Sequence, residues 1–382
     1  MASTPFHRYS HGHQDLVLSL AYNYYGTRLA TASSDHRVKI WDLQPSTAEW
    51  SVTEVFRAHD AEVTEVKWTG PYTGEHLGSI GEDGLLRLWR ENLHETKNSG
   101  RRFVKVFELR SSTVAPFMGL DFKVLGTETF LACMTRDGFL TVSEPEDETD
   151  LSGWRVLWAD YLGKTPARTE ETGFRVSWHK ERLPAWPAVL AGLDRKALSL
   201  AVSVGEVVRV FRTDGDRKFY NAAVLEGARG LVRDVSWAGG SMRGFDTIAT
   251  AAKDGFIRIY ELHTPGAAGL STAAQAFPPA VGGEGQAQQL QNRPARSGIG
   301  AGLAEGPKGR RDEAGSVPGA VKQEPKLVAE LEAHDGSPWR VSWSHMGDLL
   351  VSTGDDGIVK VWRKSVEGKW LEAADIDAVT HA

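Results

Sequence analysis

Along its 382 residues the chain repeats one pattern six times, and this recurrence restricts it to very few folds. Four copies of Val-x-Trp each close a stretch of alternating apolar residues: Val66–Trp68, Val176–Trp178, Val235–Trp237 and Val341–Trp343. Leu20–Tyr22 and Leu120–Phe122 are weaker copies. Behind each lies a small-residue run, a tight turn and a second alternating run. These read LATASSDHRVKIWDL (Leu29–Leu43), LGSIGEDGLLRLW (Leu77–Trp89) and LACMTRDGFLTVS (Leu131–Ser143) in the first half of the chain. LSLAVSVGEVVRVF (Leu198–Phe211), IATAAKDGFIRIYEL (Ile248–Leu262) and LVSTGDDGIVKVW (Leu350–Trp362) follow in the second half. Alternation with a period of two predicts strands, and Asp-Gly between two such runs predicts a hairpin, because its turn needs positive φ.

A further short strand is expected after each unit, at Trp50–Phe56, Phe103–Leu109, Val156–Trp158, Ala222–Leu225, Leu327–Leu331 and Trp370–Ala373. The unit aromatics at 22, 68, 122, 178, 237 and 343 lie 46, 54, 56, 59 and 106 residues apart. Four strands per unit at such a period predict an all-β fold, a six-bladed β-propeller over residues 12–376. Residues 1–11 read as a flexible N-terminus and 377–382 as a tail.

The longest spacing contains residues 263–325, between the last two strands of blade 5. The segment is rich in Ala, Gly, Gln and Pro and poor in large apolar side chains. Such a chain buries too little surface to offset its ordering entropy, so it is expected to be disordered. Pro184, Pro187 and Gly192 mark an enlarged loop in blade 4.

His, Ser or Thr, Asp and Trp recur together in three units: His13, Thr31, Asp35 and Trp41; His59, Ser79, Asp83 and Trp89; His334, Ser352, Asp356 and Trp362. The His-to-Asp separations are 22, 24 and 22. A catalytic triad is normally made once, whereas this set is made three times. The reading is therefore structural: a repeated polar set of this kind satisfies buried polar groups and fixes each unit. Blade 5 keeps Thr250 and Asp254, with Tyr260 in place of Trp, and blades 3 and 4 lack most of the set.

No other motif points to chemistry. Cys133, the single cysteine, sits in the apolar run Phe130–Met134 and reads as a buried strand residue; one thiol allows no internal disulfide. There is no Cys-x-x-Cys, His-Glu-x-x-His or phosphate-loop motif, so no metal or cofactor is expected. A formal net charge of −6 with only short basic pairs argues against nucleic acid as the partner. The N-terminus lacks the apolar core of a signal peptide and no apolar run is long enough to span a bilayer, which leads us to expect a soluble intracellular protein.

The three complete sets resemble the hydrogen-bonded tetrad of WD repeats, which implies that the carboxylate holds the imidazole, the imidazole meets the hydroxyl and the hydroxyl meets the indole N–H. Further landmarks are Gly12-His13-x-Asp15-Leu16-Val17, Tyr25-Gly26, Ala30-Thr31, Ser33-Ser34-Asp35 and Arg57-Ala58-His59-Asp60. Ser99-Gly100-Arg101-Arg102 before Phe103, Asp150-Leu151-x-x-Trp154 and Gly354-Asp355-Asp356-Gly357 complete them. With these the chain is similar to the Sec-thirteen homologue family of WD-repeat nucleoporins, over nearly its whole length outside the blade 5 segment. Ser143 departs from the pattern, since an aromatic is usual there.

That resemblance implies a propeller open between blades 1 and 6, completed by a blade inserted in trans from an α-helical nucleoporin. It implies a non-catalytic scaffold role in the Y-shaped complex of the nuclear pore, serving nucleocytoplasmic transport and mRNA export. It also implies membership of a coat-like complex at the vacuolar or lysosomal surface that regulates TOR signalling. Residues 1–11 make a poor extra strand, in keeping with a ring that lacks its own latch, and the partner blade is expected against Leu16, Val17, Leu20, Ile358 and Val361. Three rivals stay open: a vesicle-coat propeller of ER-to-Golgi transport, a WD-repeat hub that binds peptides, and a propeller with a ligand or catalytic site in its central channel. The last needs convergent polar residues at the channel, and the repeats reveal none.

Overall fold

The computed structural model describes residues 9–167, 169–240, 244–265 and 319–377. They form six antiparallel four-stranded sheets, each with its strands in sequence order. The fold is a six-bladed β-propeller. The inner strands are Val17–Tyr22, Val63–Trp68, Phe117–Leu125, Val176–Trp178, Val232–Trp237 and Pro338–Trp343, and each packs against the next.

The core is a series of layers between blades. Ala30, Ala32, Val38 and Ile40 of blade 1 pack with Val63, Val66, Trp68 and Trp89 of blade 2. Ala249, Ala251, Ile257 and Ile259 of blade 5 pack with Val341, Leu350, Trp362 and Trp370 of blade 6. Small residues on the second strand of one blade leave room for the large residues of the next. Each buried aliphatic side chain contributes roughly 1.5–3 kcal/mol.

Two irregularities recur. The third strand of every blade has a register shift against its outer neighbour, just before the position of Trp41, Trp89, Ser143, Phe211, Tyr260 or Trp362. In five blades the inner strand also shifts register close to its start, at Val17/Ser19, Val63/Glu65, Phe117/Gly119, Val232/Asp234 and Pro338/Arg340. A bulge re-aims the side chain that follows it, here the residue three before the aromatic.

Several expected boundaries move. The outer strand of blade 3 is Asp150–Tyr161, longer than Val156–Trp158, and that of blade 5 is Glu324–Glu332. Ser143 contributes no ring, but Trp158 on the adjacent outer strand packs on Phe211 and Phe219 of blade 4.

The expected disorder over 263–325 is corrected at both flanks. His263 ends a strand, and Gly319–Gln323 run along the outer strand of blade 4 before entering blade 5. Gln323 N donates to Ala222 O at 2.9 Å, and Val321 packs with Ala188, Leu193 and Ala197 of the enlarged blade 4 loop. An unpaired sheet edge gives this polar stretch the backbone partners its own side chains could not supply. Residues 266–318, 1–8 and 378–382, within the expected loop, N-terminus and tail, lie outside the described residues.

Candidate functional site

The three predicted side-chain sets are each brought together. His13 Nδ1 lies 2.9 Å from Asp35, His13 Nε2 lies 2.9 Å from Thr31 Oγ1, and Trp41 Nε1 donates to the same oxygen at 3.1 Å. In blade 2 the distances are 3.0 Å for His59–Asp83, 2.8 Å for His59–Ser79 and 2.9 Å for Trp89–Ser79. In blade 6 they are 3.0 Å for His334–Asp356, 2.9 Å for His334–Ser352 and 3.0 Å for Trp362–Ser352. Each Asp also accepts two backbone N–H groups, those of Gln14 and Arg37, Asp60 and Leu85, or Asp335 and Ile358. Burial alone would raise the Asp83 pKa, yet the hydrogen bond and charge of His59 bring it down to about 2. Burial lowers the pKa of His13 against the pull of Asp35. The Ser79 and Ser352 hydroxyls are buried, so no substrate can reach them. In blade 5, Asp254 instead pairs with Arg258 at 2.7 Å, and Tyr260 donates to Glu226 O.

A second set of residues escaped the sequence reading. At each of the five interior junctions, from blade 1 through blade 6, one side chain on an inner strand accepts a backbone N–H from the next inner strand. Ser19 accepts from Val66, Glu65 from Leu120, Asp121 from Trp178, Ser177 from Trp237 and Asp234 from Val341. The acceptor stands three residues before its own aromatic, or one before where that third position is Gly119 or Arg175. Indole N–H groups add a second stitch: Trp68 to Ala21 O, Trp178 to Asp121 O and Trp343 to Ser236 O. The available signal was a polar residue three or one before the aromatic that closes an inner strand.

Apart from Ile358, the residues predicted to meet a partner lie on the sides of blades 1 and 6 that look away from this series. Leu20 is 59% exposed, whereas Val66, its equivalent in blade 2, is 0% exposed against blade 1. Val17 is half-buried where Val63 is fully buried, and Leu16 is exposed just before the strand begins. Val361 is half-buried with Val351, its register partner, whereas their blade 5 equivalents Ile259 and Ala249 are fully buried. Ile358 is a correction: it stands three residues from Val361 on one strand with no bulge between, so it points to the opposite face, the one toward blade 5. Val359 takes its place beside Val361, as the equivalent of Ile257.

A model of the WD domain, G-beta repeat, matches residues 4–42 and 325–363. Nucleoporin SEH1 of Saccharomyces cerevisiae is 29% identical over 362 residues, covering 94% of this chain and 95% of that protein. Nucleoporin seh1 of Schizosaccharomyces pombe is 26% identical over 92% of this chain and 91% of its own length. Human Nucleoporin SEH1 is 26% identical over 94% of this chain and 84% of its own length. This chain is a WD-repeat propeller related to the SEH1 nucleoporins.

Kinship with SEH1 nucleoporins and a propeller held together by its own polar network make this a structural protein, not an enzyme. The central channel corrects the expectation that the repeats arrange no polar residues there. Glu65, Arg175, Asp234 and Arg340 all stand three before an inner-strand aromatic. Arg175 lies 3.5 Å from Glu65, and Arg340 lies 4.0 Å from Glu65 and 3.9 Å from Asp234. Two acids thus face two guanidinium groups, and charge is matched inside the channel. Burial, then the nearby Arg340 charge, lower the Arg175 pKa to about 10. Among the described residues no cluster of His, Cys, Asp and Glu is placed to hold a metal, and no helix is long and apolar enough to cross a membrane.

Proposed function

We propose that this chain is a non-catalytic scaffold propeller of the nuclear pore, left open between blades 6 and 1 and completed by a blade from an α-helical nucleoporin. One observation carries the reading. Apolar positions that are fully buried at the interior junctions, Val63 and Val66 or Ile257 and Ile259, have exposed or half-buried counterparts on the outward faces of blades 1 and 6. Leaving Leu20, Val351, Val359 and Val361 wet forgoes about 25 cal/mol for each Å² that a covering blade would bury. An obligate contact of this kind buries on the order of 2,000 Å² or more.

Similarity to the SEH1 nucleoporins supports a role for the scaffold in the Y-shaped complex, with nucleocytoplasmic transport and mRNA export as the processes served. The same resemblance supports a second residence, in a coat-like complex at the vacuolar or lysosomal surface that regulates TOR signalling. The deciding experiment compares wild type with a Leu20→Asp, Val361→Asp double variant in co-purification. Wild type is expected to bring down pore scaffold subunits, and the variant to lose them while keeping its circular dichroism spectrum. Unchanged capture by the variant, or recovery of vesicle-coat components in place of pore subunits, overturns the proposal.

A further inference from the structure

The five interior junctions follow a rule that extends to a foreign strand. Where the residue three before the aromatic can accept, it takes the N–H of the residue two before the aromatic in the next blade; this holds for Ser19, Glu65 and Asp234. Where that residue cannot accept, as with Gly119 and Arg175, the residue one before the aromatic takes the N–H of the next aromatic; this holds for Asp121 and Ser177. An inner strand is a sheet edge, and this exchange is how its unpaired N–H groups are satisfied.

The two terminal blades hold the unused halves of the rule. Blade 6 has Arg340 at the first offset, which has no acceptor atom, and Ser342 at the second. Ser342 Oγ therefore waits for the N–H of an incoming aromatic. Its carbonyl is the counterpart of Ala21 O and Ser236 O, each of which accepts an indole N–H. Blade 1 offers the N–H of Leu20, counterpart of those of Val66, Leu120 and Val341, and it calls for an acceptor three before the foreign aromatic. That foreign position adjoins Arg340. The Arg340 side chain is 34% exposed, the most open of the four channel charges, and its two acidic neighbours stand at 3.9 and 4.0 Å. Its guanidinium has donors to spare.

Resting on the trans-blade reading above, we infer that the partner's inner strand carries Asp or Glu three residues before a Trp. The acid accepts from Leu20 N–H and pairs with Arg340, while the indole donates to Ser342 O. The partner is thus recognised by a short strand of the form acid-x-x-Trp.

A photo-crosslinking residue placed singly at Leu20 and at Ser342, both exposed, tests this in the full chain purified with its native complex. Mass spectrometry of the crosslinked peptides is the readout. One foreign segment reached from both positions, with the acid-x-x-Trp spacing, is the expected result. A single foreign strand reached from both positions but lacking that spacing overturns this inference and leaves the trans blade standing. Crosslinks that join blade 1 to blade 6 of this chain, or reach no common foreign strand, overturn the trans blade itself. As a second measurement, Arg340→Glu is expected to weaken capture about tenfold or more, and a Lys at the partner's acid to restore it. Full capture by Arg340→Glu overturns the ion pair.

Discussion

Arg212 and Asp246 pair at 2.6 Å with neither side chain reaching solvent, and the pair joins blade 4 to blade 5. Ser199 and Gln323 accept further guanidinium N–H groups, so the buried charge is well surrounded. Burial would raise the Asp246 pKa, but His179 and Arg212 hold it well below the usual carboxylate range. Replacing Asp246 with Ala strands the arginine, and the expected cost is about 3–5 kcal/mol. An acid with a depressed folded pKa stabilises above its unfolded value of about 4, and that contribution is lost as pH falls through the folded value. Urea unfolding at pH 7 should therefore show a large gap between wild type and Asp246→Ala, and the gap should narrow toward acid. A gap that does not change with pH contradicts the assignment.

Ser352 is the hinge of the blade 6 tetrad, since it meets both His334 Nε2 and Trp362 Nε1. Ser352→Ala leaves two buried groups unpaired and is expected to cost about 2 kcal/mol or more, whereas Trp362→Phe removes one donor with its site and should cost less. The double variant should cost less than the sum, because the second change removes a group that the first left unsatisfied. Equilibrium denaturation of the three proteins measures the coupling, and strict additivity argues against a shared hydroxyl.

Much of this architecture was legible because its signals are local. Asp-Gly turns and Val-x-Trp endings lie within short stretches and fall on the predicted turns and strands, and the members of each tetrad lie within about thirty residues of one another. The junction acceptors were not legible, since a Ser, Glu or Asp near a tryptophan is commonplace until the neighbouring blade is in place. The side taken by Ile358 was obscured because both faces of a blade are apolar, so hydrophobicity alone does not say which neighbour a residue meets. The strap at Gly319–Gln323 was missed for a different reason. Its partners Tyr220 and Ala222 lie about a hundred residues earlier, and no local periodicity announces them.

Cys133 offers a probe of global opening. It is 2% exposed on an interior strand, and burial pushes its thiol up to about 12. At pH 8 the thiolate is about a thousandfold scarcer than for a free cysteine, before access is considered. Alkylation of the native protein should be correspondingly slow and should track unfolding as urea is added. Rapid labelling without denaturant would show that blade 3 opens locally.

Tyr220 holds the middle of the strap at the end of the blade 5 segment. Tyr220 Oη accepts from Val321 N at 2.8 Å and donates to Val321 O at 3.1 Å, while Gln323 accepts from the buried Arg212 guanidinium. Tyr220→Phe removes both backbone bonds and leaves the ring, so the strap should loosen while the propeller stays folded. The expected effect is about 1–3 kcal/mol of local stability, seen as faster amide exchange at Val321 and Gln323. Gln323→Ala should also lower global stability, because Arg212 then loses an acceptor inside the core. If both variants exchange like wild type at Val321, the strap is held by the apolar contacts with Ala188, Leu193 and Ala197 instead, and replacing Val321 with Asp should release it.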